Sequence, residues 1–117
     1  MIYKLQCRRM IEIRLYSTEG GKVPLELWLD SLEDDPTESR IRIRINRLMR
    51  GNFGDCKPIG GGVWELRINW GPGYRVYYSM IERDCVLLLC GGDKRRQAAD
   101  IRKAIGYLND YKQRSNS

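Results

Sequence analysis

Apolar and polar side chains alternate most regularly along residues 63–81. Trp64, Leu66, Ile68 and Trp70 hold the even positions, Tyr74, Val76, Tyr78 and Met80 repeat that parity, and Gly71-Pro72-Gly73 separates the two runs. Successive strand residues point to opposite faces, so the stretch predicts a β-hairpin with one buried face. With Trp70 and Tyr74 closing the turn, Asn69 lies opposite Arg75 and Arg67 opposite Tyr77, while Glu65 shares their side. The predicted solvent face therefore gathers two guanidiniums, a carboxylate and a phenol. Nearest opposite pairs have Cβ atoms about 4.5–5.5 Å apart, within reach of one phosphodiester. A strand half in water also carries charge on its wet side for solvation alone.

The same reading extends along the chain. Ile11, Ile13 and Leu15 alternate with Glu12 and Arg14, which predicts a strand. Residues 1–9 read as an N-terminal extension, with Met10 an alternative start. Pro24 stands at a first helical position, and Leu25, Trp28, Leu29 and Leu32 follow at helical spacing. Asp35-Pro36-Thr37-Glu38 has the form of a helix cap, with the proline at N1. Beyond it, Ile41, Ile43 and Ile45 alternate as in a strand, whereas Ile41, Ile45, Leu48 and Met49 fit a helical face. The cap before and Gly51 after favour helix, with Arg40, Arg44 and Arg47 on a solvated outer surface.

The glycine-rich stretch Gly51–Gly62 is loop, with Cys56–Ile59 a short edge strand and Lys57 the only cation there. Cys85–Cys90 is apolar without alternation, as in a strand covered on both faces and central in its sheet. Gly91-Gly92-Asp93-Lys94 ends it, and Ala98, Ile101, Ile105 and Leu108 mark a last amphipathic helix. Lys94 and Gln97 fall where free backbone N–H groups at a helix start attract anions. The order predicts an α+β domain over residues 10–111. One helical layer would cover a mainly antiparallel sheet of four to five strands, with two N-terminal helices and one C-terminal helix. The polar tail 112–117 reads as disordered.

Charge and composition narrow the function. The chain carries 21 Lys and Arg against 15 Asp and Glu, a net charge of +6, and most of the cations are arginine. Arginine's planar fork matches phosphate oxygens, so a polyanion, nucleic acid first, is the expected partner. No run approaches the roughly 18 apolar residues of a membrane span, and no leader pattern opens the chain, so the expectation is a cytoplasmic protein without a membrane partner. The cysteines Cys7, Cys56, Cys85 and Cys90 form no C-x-x-C pair and the chain has no histidine, so reduced thiols and no metal are expected. Without imidazole, proton transfer falls to Glu, Asp, Tyr, Lys or Arg, and His-assisted serine or cysteine hydrolases are disfavoured.

Two strings carry a family resemblance: ELRINWGPGYRVYY, and after a short interval LLLCGGDKRRQAADIRKA. With LELWLDSL and RLMRGNFGD they make residues 10–111 resemble the phage-related killer-protein branch of the RelE/HigB toxin superfamily, the toxic halves of type II toxin–antitoxin modules. The resemblance implies a RelE-like fold and a metal-independent, cofactor-free mRNA endonuclease acting in the ribosomal A site. In it the ribose 2′-hydroxyl attacks its own 3′ phosphate and leaves a 2′,3′-cyclic phosphate. It also implies a cognate antitoxin, a small helix-turn-helix protein, and contact with DNA only through the antitoxin complex.

By the same resemblance the catalytic arginine of the Tyr-Arg strand is Arg75, the basic residue after the glycine turn is Lys94, and the Leu-Arg arginine is Arg67. The family's late-helix Tyr or His position falls near Asp100 or Ile101, so neither side chain is available there. Expected roles follow. Arg75 and Arg67 clamp phosphate, Glu65 acts as base toward the 2′-hydroxyl, and Lys94 protonates the departing 5′ oxygen or simply neutralises it. Tyr77 stacks on a base or donates a proton, and Lys57, Gln97 and Asn69 help position the RNA. Two other readings stand beside this one: a catalytically weak nucleic-acid binder or antitoxin-bound corepressor, and a structural phage component.

Overall fold

The computed structural model describes residues 10–116. The extension expected over residues 1–9, with Cys7, lies outside the described residues. The elements run β1 Glu12–Leu15, α1 Pro24–Ser31, α2 Asp35–Met49, β2 Cys56–Gly60, β3 Val63–Ile68, β4 Tyr74–Glu82 and β5 Cys85–Asp93. A 3-10 turn, Lys94–Arg96, then leads into α3, Gln97–Ser115. The domain is α+β. Its sheet has the order β1-β5-β4-β3-β2, with β1 parallel to β5 and the other pairs antiparallel.

Local chemistry accounts for the helix starts. Pro24 occupies the first turn of α1, where its missing N–H has no partner to lose. In α2 the cap falls one residue earlier than the sequence pattern predicts: Asp34 is the N-cap, and Thr37 Oγ1 donates to Asp34 Oδ2 at 2.6 Å. The ambiguous isoleucine run is helical. Ile41 and Leu48 are buried and Ile43 is exposed, the spacing of a helix face and not of a strand. The last helix continues to Ser115, through most of the polar tail expected to be disordered.

The sheet is covered on both faces, which corrects the expectation of one helical layer. Leu25 and Leu29 of α1 and Ile41 and Leu48 of α2 pack with Leu66, Ile68, Val76, Tyr78, Val86 and Leu88. On the other face Ala104 and Leu108 of α3 pack with Val63, Tyr77, Leu87, Leu89 and Cys90. The unalternating run in β5 thus has its two predicted covers, and the strand lies inside the sheet between β1 and β4. A register shift between Tyr77 and Tyr78 adds a bulge, so Leu89 and Cys90 both join the α3 side. Beyond it, Gly91 lies under the Trp28 ring and Gly92 under the Asp100 carboxylate, so close that a Cβ at either position would overlap its neighbour. The Gly-Gly pair lets α1 and the start of α3 close on the end of β5.

Candidate nucleic-acid interface

The hairpin forms with a register two residues away from the predicted one. Ile68 faces Tyr74, Arg67 faces Arg75 and Glu65 faces Tyr77. A shift of two keeps every side chain on its predicted face and changes only its opposite number. The cause is Trp70, which leaves the strand for α2. Its Nε1 donates to Thr37 Oγ1 at 3.0 Å, and the Arg40 guanidinium lies 3.9 Å from its ring centroid. The connection therefore spans residues 69–73, held by Gly73 N–H to the Trp70 carbonyl at 3.1 Å.

The face expected to meet solvent does so only at its loop end. Glu65 and Tyr77 are 0% exposed, because α3 lies over them. Glu65 ion-pairs through Oε1 with Arg75 Nε, whose N–H is not aligned for a hydrogen bond, and Gln97 Nε2 of α3 donates to the same carboxylate at 3.0 Å. The Tyr77 hydroxyl has no hydrogen-bond partner among the described residues, and burial with the nearby Glu65 and Asp100 charges raises its pKa. Tyr77 thus presents no open ring for a base to stack on, and Glu65 is sealed beneath Arg75 and Gln97. Both expectations of direct RNA contact are corrected by the position of α3.

Two cations do converge at the open end. Arg75 Nη1 donates to the Gly73 carbonyl at 3.2 Å, and the Lys94 backbone N–H donates to the same oxygen at 3.0 Å. With Asn69, Trp70, Gly71, Pro72 and Gly73 they line a hollow of about 420 Å³ that contains no acid. Lys94 is exposed, while the Arg75 side chain retains 12% of its surface. Lys94 opens the 3-10 turn, and Asp93 caps that turn by accepting from Arg95 N–H at 2.9 Å. The Asp93 carboxyl is held below its ordinary pKa chiefly by the Arg95 side chain, so it balances Arg95 and leaves Lys94 uncompensated.

Arg67 lies across from Arg75 in the register but lines a different hollow, of about 650 Å³, between α2 and β3. Asn69 and Trp70 border both spaces. Arg40, Arg44 and Arg47, read from sequence as solvated surface, line the second hollow with Arg67. Their spacing of four and three residues puts them on one helix face, but no pattern told which way that face turns. Lys57 faces Glu65 in the register from edge strand β2, is exposed, and borders neither hollow.

Asp100, at the late-helix position, is 8% exposed and rests over Gly92, with its carboxyl pKa raised by burial. It lines a further and larger hollow of about 770 Å³ between α1 and the start of α3. That space mixes Asp93 and Asp100 with Lys22, Arg95, Arg96 and Lys103, so its charge is less one-sided. The thiols of Cys85 and Cys90 are free and buried, and burial pushes the Cys90 thiol up to about 12. No helix among the described residues is long and apolar enough to cross a membrane.

A family profile described as phage derived protein Gp49-like (DUF891) matches residues 28–106, a span holding α2, the hairpin, β5 and both arginine-lined hollows. The chain belongs to this Gp49-like family. The Gp49-like family is toxin-like and related to addiction modules. A protein of Haemophilus influenzae (strain Rd), described only as uncharacterized, is 48% identical over 77 residues, 66% of this chain and 78% of that protein.

Proposed function

We propose that this Gp49-like protein is the toxin of a type II toxin–antitoxin module, a RelE/HigB-type endoribonuclease that cuts mRNA on the ribosome without a metal and is silenced by a cognate antitoxin. The observation that supports it is the acid-free hollow bounded by Arg75 and Lys94. Its size and charge suit one phosphodiester, and developing negative charge is best stabilised by donors already in place.

On this reading the 2′-hydroxyl oxygen bonds to its own 3′ phosphorus, the bond from phosphorus to the 5′ oxygen breaks, and a cyclic phosphate remains. Arg75 stabilises the nonbridging oxygens. The Lys94 ammonium gives its proton to the departing 5′ oxygen, and the 2′-hydroxyl proton passes to water. Glu65 and Gln97 are positioning residues: Glu65 pairs with the Arg75 guanidinium, Gln97 holds the Glu65 carboxylate, and neither lines the hollow. The seal over Glu65 and the lack of any carboxylate lining the hollow favour a second reading, a nucleic-acid binder of weak activity that acts mainly in complex with its antitoxin.

Programmed ribosomes separate the two. Purified protein should cleave the bound mRNA, leave a 2′,3′-cyclic phosphate end, and lose the activity when antitoxin is added. Binding without cleavage on ribosomes or on free RNA would reject the nuclease in favour of the binder.

A further inference from the structure

The α2–β3 hollow is not needed to hold the scissile linkage, yet it is the more strongly basic of the two. Arg40, Arg44, Arg47 and Arg67 all line it, and Asp55 is its only acid. Like charges at helical spacing destabilise a helix unless something compensates them. On the same helix Arg42 is compensated, by Glu38 at 2.8 Å, whereas none of the four groove arginines has an ion-pair partner among the described residues.

Two of the four are also held in place, and a third has a buried donor to spare. The Arg40 guanidinium lies over the Trp70 ring, Arg44 Nη2 donates to the Phe53 carbonyl, and the Arg67 Nε is buried without a hydrogen-bond acceptor among the described residues. Guanidiniums fixed in advance lose little freedom when an anion arrives, and a buried donor without a partner favours one that brings an acceptor. Arg47 is exposed beside them.

We propose that this groove is a second RNA-binding site, taking the backbone phosphates that flank the linkage held at Arg75 and Lys94. The strand passes from one hollow to the other across Asn69 and Trp70, which border both. The ligand class rests on the nuclease reading, but the groove's part in binding is tested without cleavage.

The experiment measures binding of a fluorescein-labelled single-stranded RNA 20-mer to the full chain across a salt series. Each phosphate contact on a single strand contributes about 0.7 to the slope of log affinity against log salt. Arg40→Gln/Arg47→Gln should weaken binding and lower the slope by about 1.4. Arg47→Gln alone, at an exposed side chain with no hydrogen bond or ion pair among the described residues, should lower it by about 0.7. The control Arg83→Gln/Arg102→Gln removes the same charge from exposed positions elsewhere and should leave the slope near the parent's. Equal losses in the control and the groove pair, or an unchanged slope in Arg47→Gln, would overturn the groove. A protein that never cleaves RNA but shows the groove-specific loss keeps the groove and refutes the nuclease.

Discussion

Arg75 and Lys94 meet on a single acceptor, the carbonyl of Gly73. It takes a guanidinium N–H from one and the backbone N–H of the other. That oxygen ties the hairpin loop to the turn that opens α3, and so sets the separation of two cations that belong to different elements. The arrangement predicts that the two respond differently to mutation, because only one of them also serves the fold.

Lys94→Ala isolates the chemistry. The side chain is exposed and makes no ion pair among the described residues, and the hydrogen bond to Gly73 comes from the backbone and survives the change. Stability should therefore stay within about 0.5 kcal/mol of the parent in urea unfolding. If Lys94 protonates the leaving oxygen, cleavage should fall by roughly 10²–10⁴. Full activity in this variant would remove Lys94 from the reaction.

Arg75→Ala removes cleavage but does not leave the fold untouched, as a side chain pointing into water would. It strands the Glu65 carboxylate, 0% exposed, with Gln97 as its remaining polar contact. Breaking a buried pair from one side costs about 3–5 kcal/mol, whereas replacing both members by apolar groups is often neutral. Arg75→Met/Glu65→Met should accordingly be more stable than Arg75→Ala in urea and equally inactive. A double variant no more stable than the single would show that the pair does not hold this part of the sheet.

The kinds of element were legible because each rests on a period or a local stop: the even positions of the hairpin, Pro24 before α1, Gly-Gly-Asp-Lys after β5. What lies over a face was not. Parity places Glu65, Arg67, Arg75 and Tyr77 on one sheet face, yet Arg67 lines a different hollow from Arg75, and Glu65 and Tyr77 are buried. The cover comes from Ala104 and Leu108, whose apolar stripe reads the same whichever sheet face it meets. Helix rotation was equally hidden, so Arg40, Arg44 and Arg47 passed for surface until Trp70 turned toward α2 and left a hollow beside them. Lys94 was legible, since a strand-to-helix junction fixes its place with little help from tertiary packing.

Asp100 gives a pH test. Burial raises its pKa above the unfolded value of about 3.9. The folded state therefore binds more protons than the unfolded state between those two values, and stability is lost as pH rises through the folded pKa. At neutral pH the buried carboxylate opposes folding, and among the described residues its side chain makes no hydrogen bond that Asn would forfeit. Asp100→Asn should be the more stable protein at pH 7 in urea, with the gap closing as pH falls through the raised folded pKa toward about 4. A gap independent of pH would show that Asp100 titrates as it does in the unfolded chain.

Gly91 and Gly92 stand side by side, yet alanine should be felt unequally at the two. Neither has a left-handed backbone, so the effect is one of space. At Gly91 the new Cβ overlaps three atoms of the Trp28 ring, a rigid group pinned between α1 and the sheet. At Gly92 it meets the carboxylate end of Asp100, which turns aside by rotating about its side-chain bonds. Overpacking against a rigid neighbour costs about 1–3 kcal/mol, so Gly91→Ala should lower the unfolding free energy measured in urea by that much and Gly92→Ala by less. Shrinking the obstacle, in Gly91→Ala/Trp28→Leu, should make the two changes cost less together than the sum of the single variants, since residues in contact couple. Strict additivity would mean that the ring does not press on β5 and that the glycine is there for another reason.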